Sequence, residues 1–254
     1  MTLSNSESHE FAFYTDITRN VSLLKKLDTF EVPNKELYHR IIKVLRLRVD
    51  DAIILFNSTL NIRCTIHTIG KDKFSLRVEE ILHNKRLTPQ ICWLVPLLKK
   101  EAFEDCLYTL TEMGIQEIQP VITRKSNQTA PYLESDRAKN IMITAAEQSK
   151  QFILPQIHTV EPLEKIVKSL ELEDVGSKIF FDPTGLPFFD VITNLKQTNA
   201  AKIICAIGPE GDLTESEKQL FKANNFQFCK LTETVLRAKQ AVAVASGIVR
   251  AMLL

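Results

Sequence analysis

Apolar and polar residues follow two different rhythms along the chain, and the rhythm changes near residue 88. From residue 52 to about residue 82 the pattern has a period of two: residues 52–56 form a short apolar run, and apolar residues alternate with polar ones over 62–66 and 74–78. A period of two is typical of short, half-buried antiparallel strands. We therefore predict a small β-barrel in this part of the chain.

A helix is predicted just ahead of these strands, opened by Pro33 and Asn34. Asn34 has the side chain of a good N-cap. The apolar residues that follow recur at helical spacing and are expected to share one buried face: Leu37, Ile41, Val44 and Leu45.

After residue 90, continuous apolar runs alternate with helical patterns. Four helices are predicted. The first lies between the apolar run 91–95 and Gly114, the second covers 133–150, the third begins at a capping box that starts at Thr214, and the fourth covers 236–254. Strands are predicted at 91–95, 115–122, 178–181, 203–207 and 226–231. Strands that alternate with helices indicate a parallel sheet covered on both faces.

These patterns predict an α/β fold with two domains. A small β-rich domain occupies residues 1–87, with residues 1–10 expected to be disordered because they are polar. A hinge lies near residues 87–89, and a larger α/β domain occupies residues 88–254.

The composition is that of a soluble globular protein, with 44% hydrophobic and 25% charged residues. No stretch approaches the roughly 18 apolar residues of a membrane span, and no secretion leader is evident. The cysteines are odd in number and scattered, which indicates reduced core residues and no zinc or disulfide framework: Cys64, Cys92, Cys106, Cys205 and Cys229. We expect a cytoplasmic protein without a membrane or metal partner.

The formal net charge of +1 is uninformative, but its distribution is not. Between residues 35 and 48 five cations face a single acid, Glu36: Lys35, Arg40, Lys43, Arg46 and Arg48. Such a cluster is consistent with a phosphate-binding surface. It is equally typical of a solvated helix face whose side chains lie along apolar surface.

Ligands of open α/β sheets bind beyond the carboxyl ends of the strands. Three predicted loops fall there, at residues 182–185, 208–212 and 232–234. The second begins Gly-Pro-Glu-Gly, in which the glycines allow a close backbone approach to a ligand. It matches neither a P-loop nor a dinucleotide-binding fingerprint. The alternative is a tight turn that leads into the capped helix.

Three groups of residues, taken in order, carry a family resemblance. Residues 39–51 are similar to the pattern H-x-x-x-V-L-R-x-x-x-G-D, and residues 145–149 with Pro155 are similar to A-A-E-Q-S-x-R…P. Residues 207–211 and 235–237 are similar to I-G-P-E-G-G and I-L-R-x-E-T-A. Together they resemble the RsmE-type 16S rRNA uracil-N3 methyltransferases of the SPOUT class, over about residues 10–254.

The resemblance implies a trefoil-knotted C-terminal methyltransferase domain behind a PUA-like N-terminal barrel that binds RNA. It implies S-adenosyl-L-methionine (AdoMet) as methyl donor, no metal, and N3 of one uridine of 16S rRNA in the small ribosomal subunit (uridine 1498) as target. The enzyme would thus serve rRNA processing in ribosome biogenesis. It also implies a homodimer formed through the C-terminal domain. A small-residue stripe is a candidate contact, or else part of the chain's own core: Ala238, Ala241, Val242, Ala245 and Val249.

The resemblance also assigns candidate site residues. Arg237 would stabilise charge on the uracil, and Glu210 would accept the proton or fix its loop; alternatively Arg237 would form an ion pair with Glu233 or Glu210. The RNA-binding candidates are Arg40, Lys43, Arg46, Arg48 and Lys125. The cofactor-binding candidates are Phe181, Asp182, Gly185, Ile207, Gly208, Pro209, Gly211, Leu231, Thr232, Val235 and Leu236.

The chain departs from the family patterns at four informative positions. Thr232 and Asp212 replace glycines, Lys239 replaces an acid, and Gln151 replaces an arginine. These departures leave two alternatives to the assigned activity. One is a non-catalytic SPOUT-fold protein that only binds RNA, and the other is a SPOUT methyltransferase with a different RNA target.

Overall fold

The structure is a computed structural model that describes residues 10–15, 24–130, 133, 136–170, 176–191, 193 and 201–252. The disorder expected for residues 1–10 therefore lies, for residues 1–9, outside the described residues. By its internal contacts the chain divides into two units. Unit 1 comprises Met1–Lys85 with Ala146–Ile153, and unit 2 comprises Arg86–Ala145 with Leu154–Leu254.

Unit 1 is built on a five-stranded sheet in the order β1-β3-β4-β5-β2. Its strands are β1 (Phe11–Tyr14), β2 (Thr29–Val32), β3 (Ala52–Phe56), β4 (Leu60–Ile69) and β5 (Phe74–His83). The pairs are antiparallel except β1 with β3. The three strands predicted from the period of two are confirmed. The two four-residue edge strands were missed because they are too short to establish a period.

The basic helix of unit 1 begins as predicted but changes its geometry. In α1 (Lys35–Tyr38) the Asn34 side chain accepts a hydrogen bond from the Leu37 amide at 2.9 Å, which confirms the N-cap. The chain then widens into a π-helix over His39–Val44. Its wider i→i+5 turn moves Val44 off the predicted face. Val44 and Leu45 are 61% and 36% exposed, so their predicted burial was wrong, whereas Leu37 and Ile41 are buried.

Unit 2 contains a parallel sheet in the order β12-β10-β11-β6-β7-β8, with β9 paired to β7. Its strands are β6 (Gln90–Pro96), β7 (Glu117–Ile122), β8 (Gln156–Ile157), β9 (Glu161–Pro162), β10 (Ser177–Pro187), β11 (Lys202–Ile207) and β12 (Gln227–Lys230). Its helices are α2 (Lys100–Glu112), α3 (Asp136–Ser149, which ends in unit 1), α4 (Leu163–Ser169), α5 (Glu215–Ala223) and α6 (Ala238–Met252). The predicted strands and helices are confirmed with shifted ends over the described residues, and residues 134–135 and 253–254 of the predicted helices lie outside them.

Alternate residues of β6 supply two separate cores on opposite faces of this sheet. Trp93 and its alternating neighbours pack in one cluster with residues of α2 and α6. Cys92 and Leu94 pack in another cluster with residues of α4 and α5. The prediction of a parallel sheet covered by helices on both faces is therefore confirmed, as is the burial of Trp93.

The small-residue stripe of α6 belongs to the core of unit 2. Val242, Ala245 and Val249 are fully buried within the chain itself. Of the two interpretations, the structure therefore supports the chain's own core for these three residues.

All five cysteines are buried and unbridged, as expected for reduced core residues. Burial raises the pKa of the Cys64, Cys106 and Cys229 thiols to about 12. These groups therefore stay protonated at neutral pH and act as packing residues.

Candidate active site

The candidate site forms where three neighbouring strands end. Strand β10 lies between β11 and β12, and Phe181 pairs with Ile207 on one side and with Cys229 on the other. All these pairs are parallel, so the segments that follow leave the sheet at one edge. This juxtaposition confirms that the three predicted loops meet.

The first of these loops is an excursion inside a strand. Both Phe181 and Leu186 pair with Cys229, so residues 182–185 bulge out of the β10–β12 ladder. Gly185 closes the bulge against β12, and a Cβ there would lie 2.6 Å from the Phe228 carbonyl oxygen and closer still to the Cys229 amide nitrogen. Only glycine fits at this position without moving the backbone.

A cavity of about 850 Å³ opens between the loops. It brings together both catalytic candidates, Glu210 and Arg237, with seven of the cofactor-binding candidates: Phe181, Asp182, Ile207, Gly208, Pro209, Val235 and Leu236. A smaller adjoining cavity of about 60 Å³ adds Leu231 and Thr232. Because these residues come from three loops far apart in sequence, their convergence supports a single site.

Two cofactor-binding candidates do not line either cavity. Gly185 packs against β12, and Gly211 packs against the Lys125 side chain, which its Cβ would meet at 3.3 Å. The Lys125 ammonium donates a hydrogen bond to the Gly211 carbonyl oxygen at 3.0 Å. Both glycines therefore allow close packing around the site, and Lys125 fixes the second loop while its side chain remains exposed.

A buried carboxylate is among the groups that line the cavity. Asp182 is 3% exposed, and its Oδ1 accepts hydrogen bonds from the Thr184 amide at 2.8 Å and the Thr184 hydroxyl at 2.5 Å. Burial alone would raise the pKa of Asp182, but hydrogen bonds from Lys218 and Thr184 outweigh it and hold that pKa below its usual value. Asp182 is therefore ionised at neutral pH.

The two catalytic candidates differ in their surroundings. Glu210 Oε1 accepts a hydrogen bond from the Lys99 amide at 3.4 Å, so this carboxylate touches the start of α2. Arg237 is exposed, and among the described residues its guanidinium makes no ion pair or hydrogen bond. Glu233 pairs instead with Lys230 at 2.8 Å. The alternative in which Arg237 forms a structural ion pair is therefore not observed.

Sequence reasoning missed the contribution of α2. Lys99, Glu101 and Ala102 line the main cavity, because α2 follows β6 and β6 pairs with β11. Lys239, the residue that replaces the family's acid, also lines it and pairs with Asp105 of α2 at 2.6 Å. The position of β6 beside β11 places α2 at the cavity. It follows only from the strand order, which the sequence does not reveal.

The RNA-binding candidates of unit 1 separate into two groups. Arg40 forms a bidentate pair with Glu147, at 3.2 and 2.6 Å, and its guanidinium lies 5.3 Å from the centre of the Phe13 ring. Glu147 also accepts a hydrogen bond from the Tyr14 amide at 3.0 Å. The Arg40 guanidinium is therefore already paired inside unit 1. To contact RNA as predicted, it would have to give up hydrogen bonds to Glu147.

The other basic residues remain available. Arg46 and Arg48 are exposed, and among the described residues neither guanidinium has an ion-pair partner. Lys43 is also exposed, with its ammonium 5.8 Å from the centre of the Tyr38 ring. Together with Lys35, which is also exposed, these three cations form the accessible part of the predicted basic surface.

The described residues contain neither a candidate metal site nor a candidate membrane-spanning helix. No group of three or more histidine, cysteine, aspartate or glutamate side chains is placed to hold a metal ion. Within the same residues, none of the helices has the length and apolar character needed to cross a membrane.

The sequence of this chain matches the models of two known domain families. Residues 85–250 match the model of an RNA methyltransferase domain, and residues 33–79 match the model of an RNA methyltransferase PUA domain. The chain therefore belongs to this RNA methyltransferase family, which confirms the predicted enzyme class.

Within this family the chain is similar to ribosomal RNA small subunit methyltransferases E. The protein of that name from Rickettsia conorii is 26% identical over 231 residues, which cover 90% of this chain and 92% of the relative. The one from Synechocystis is 26% identical over 217 residues, 85% of this chain and 71% of the relative. The resemblance to RsmE-type enzymes is confirmed.

A solved structure shares the whole fold. The ribosomal RNA small subunit methyltransferase E of Neisseria gonorrhoeae, bound to S-adenosyl methionine, superposes with a TM-score of 0.79 at 20% identity. The match covers 96% of this chain and 98% of the other. The predicted combination of a PUA-like domain and a parallel-sheet methyltransferase domain is thereby confirmed.

Proposed function

We propose that this protein transfers the methyl group of AdoMet to N3 of one uridine in 16S rRNA, the position corresponding to uridine 1498. The observation that carries the proposal is the cavity in which three loops of a methyltransferase sheet meet an exposed arginine, Arg237. The relatives' name, ribosomal RNA small subunit methyltransferase E, supports the substrate. The trefoil knot, a homodimer and a cytoplasmic location belong to the same proposal.

The residues of the cavity fit AdoMet. Its volume of about 850 Å³ lies within the range of about 300–1,000 Å³ that is usual for small-molecule sites. Gly208 lines it and would allow the backbone to approach a ligand closely, while Ile207 and Leu236 supply apolar walls. When bound, AdoMet supplies a methyl group on a sulfonium, which is a good electrophile, and would leave as the neutral thioether S-adenosylhomocysteine.

The chain's own residues must make uracil N3 a nucleophile. N3 carries a proton and reacts only as that proton leaves. The Arg237 guanidinium would stabilise the negative charge that spreads onto the uracil carbonyl oxygens. Glu210 is held by the Lys99 amide through Oε1, and among the described residues its Oε2 has no hydrogen-bond donor. Oε2 is therefore the atom we assign to accept the proton.

Calorimetric titration with AdoMet tests the proposal, with a variant that fills the cavity. Ala238, at the start of α6, lines the cavity, whereas Ala251 near the end of the same helix is exposed and does not. We expect saturable binding by the wild type and by Ala251→Trp, and its loss in Ala238→Trp.

The same titration separates the alternatives. If the wild type binds no AdoMet, alone or with small ribosomal subunits present, the protein is a non-catalytic RNA-binding member of the family. If it binds AdoMet, mapping the methylated nucleotide after reaction with unmodified subunits decides the target. Methylation at any position other than a uridine N3 would contradict the proposed specificity.

The accessible cations of unit 1 should govern RNA affinity. Replacing Arg46 and Arg48 together with alanine is expected to weaken binding to 16S rRNA and to reduce the slope of log affinity against log salt by about 1 for each lost phosphate contact. The measurement is a salt series of equilibrium binding.

Lys71→Ala with Lys73→Ala is the control, because it removes the same charge from exposed residues in the β4–β5 turn, where Lys73 pairs with Glu31 at 2.9 Å. An unchanged salt slope in the Arg46 and Arg48 variant, or an equal loss of RNA affinity in the control, would show that these arginines only belong to a solvated helix face.

A further inference from the structure

Three charged side chains tie together two of the loops that form the cavity. The Lys218 ammonium, on α5, lies 2.8 Å from Asp182 Oδ2 and 2.9 Å from Asp212 Oδ2. Asp182 belongs to the loop inside β10, and Asp212 belongs to the loop that follows β11. We call these three residues the lysine bridge.

The geometry of Asp182 leaves it little capacity to bind a ligand. Its side chain is 1% exposed, Oδ1 already accepts two hydrogen bonds from Thr184, and Oδ2 accepts the ammonium of Lys218. A carboxylate whose oxygens are occupied in this way orients the backbone around it. Asp182 therefore serves to hold its loop, although it lines the cavity.

Asp212 has an uncommon backbone conformation that the bridge helps to explain. Its φ of 58° lies in the left-handed region, where glycine is favoured and aspartate is among the better-tolerated alternatives. This is the position at which the family pattern has a glycine. The Asp212 carboxylate accepts a hydrogen bond from the Leu213 amide at 2.7 Å through Oδ1 and pairs with Lys218 through Oδ2. The substitution thus adds two contacts that glycine cannot make.

The charges in the bridge are balanced against burial. Lys218 has a side chain that is 16% exposed. Burial would lower its pKa, but the hydrogen bonds to Asp182 and Asp212 outweigh burial and raise the pKa above its usual value. The ammonium therefore stays charged at neutral pH and can hold both carboxylates at once.

We propose that Lys218 is a positioning residue that fixes the separation of the two cofactor loops. Lys218 does not line the cavity, whereas Asp182 and Asp212 both do, so its effect on a ligand must pass through them. This inference rests on the proposed function, because it assumes that AdoMet occupies this cavity. Loops held at a fixed separation lose less conformational freedom on binding, which strengthens binding.

Titration with S-adenosylhomocysteine, which requires no turnover, tests the inference. Lys218→Met is expected to weaken binding at least tenfold at a temperature well below unfolding, and Lys218→Arg is expected to retain most of the affinity. Lys222→Met is the matched control, because it removes the same charge from the same helix. Lys222 is exposed, and its ammonium lies 5.3 Å from the centre of the Phe228 ring. The affinity of Lys222→Met for S-adenosylhomocysteine should equal that of the wild type.

Asp212→Asn answers the question if Lys218→Met does not fold. Asparagine tolerates the left-handed conformation but loses the charge, so we expect a severalfold weaker affinity in a folded protein. Affinities within twofold of the wild type in the folded variants, even with lower thermal stability, would overturn the inference. Absence of binding by the wild type would instead overturn the proposed function, and the inference with it.

Discussion

Arg237→Ala is expected to slow methyl transfer by about 100- to 1,000-fold while the affinity for AdoMet stays close to that of the wild type. The guanidinium is exposed at the cavity and, among the described residues, is engaged in no ion pair or hydrogen bond, so its removal breaks neither. Its loss should be felt as negative charge develops on the uracil. Single-turnover transfer of labelled methyl groups to small ribosomal subunits, together with calorimetric titration, separates the two effects.

Arg237→Lys is the companion variant. It keeps the positive charge but loses the planar fork of donors, so we expect partial activity. If Arg237→Ala weakens AdoMet binding as strongly as it slows transfer, the arginine holds the cofactor or its loop and does not act on the uracil.

Gly185→Ala is expected to destabilise the protein by about 3 kcal/mol or more and to abolish AdoMet binding. The added Cβ would collide with the backbone of β12 at Phe228 and Cys229, and backbone atoms cannot rotate away as a side chain can. Separating β10 from β12 would also displace residues 182–185 from the cavity. Thermal unfolding and AdoMet titration measure the two consequences.

Gly247→Ala provides the matched control. Gly247 lies inside α6, and a Cβ there would have no neighbour within 4 Å. Replacing a helical glycine with alanine stabilises a helix by about 0.5–1 kcal/mol, so this variant should unfold at or above the wild-type temperature and bind AdoMet normally. If Gly185→Ala unfolds like Gly247→Ala, the bulge is not a tight contact.

Signals that act over a few residues were reliable in the sequence. The capping box at Thr214 and the N-cap at Asn34 are both present, because each links a side chain to an amide only three residues away. The continuous apolar run of β6 was recognisable because both of its faces are buried, so neither face needs polar residues.

Signals failed where a neighbour in space overrides the local pattern. The π-helix over His39–Val44 exposes Val44, although its spacing from Ile41 is that of an α-helical face. The bulge in β10 interrupts a strand that reads as ending at Phe181 and then resumes it through Pro187. The bulge does contain a residue that it requires, Gly185, but this requirement is visible only once β12 is known to pack against it.

The candidate site divides in the same way. Motifs located the three loops, Glu210 and Arg237, but a sequence cannot show which side chains are already occupied. Arg40 counts among the five cations of a basic cluster, yet it is engaged by Glu147, which lies 107 residues further along the chain. With Arg40 paired, the cations of the cluster that remain exposed are Lys35, Lys43, Arg46 and Arg48.

The sequence by itself determined the class of fold, the order of most elements, and the family, because periodicity and short motifs depend on neighbouring residues. The tertiary structure alone decided that α2 lines the cavity, that Lys218 joins Asp182 to Asp212, and that the stripe on α6 faces the chain's own core. These features depend on strand order and on contacts between residues distant in sequence. The free energy that stabilises such contacts comes from burial and charge pairing between distant residues in the folded chain. The spacing of residues along a short segment therefore does not predict them.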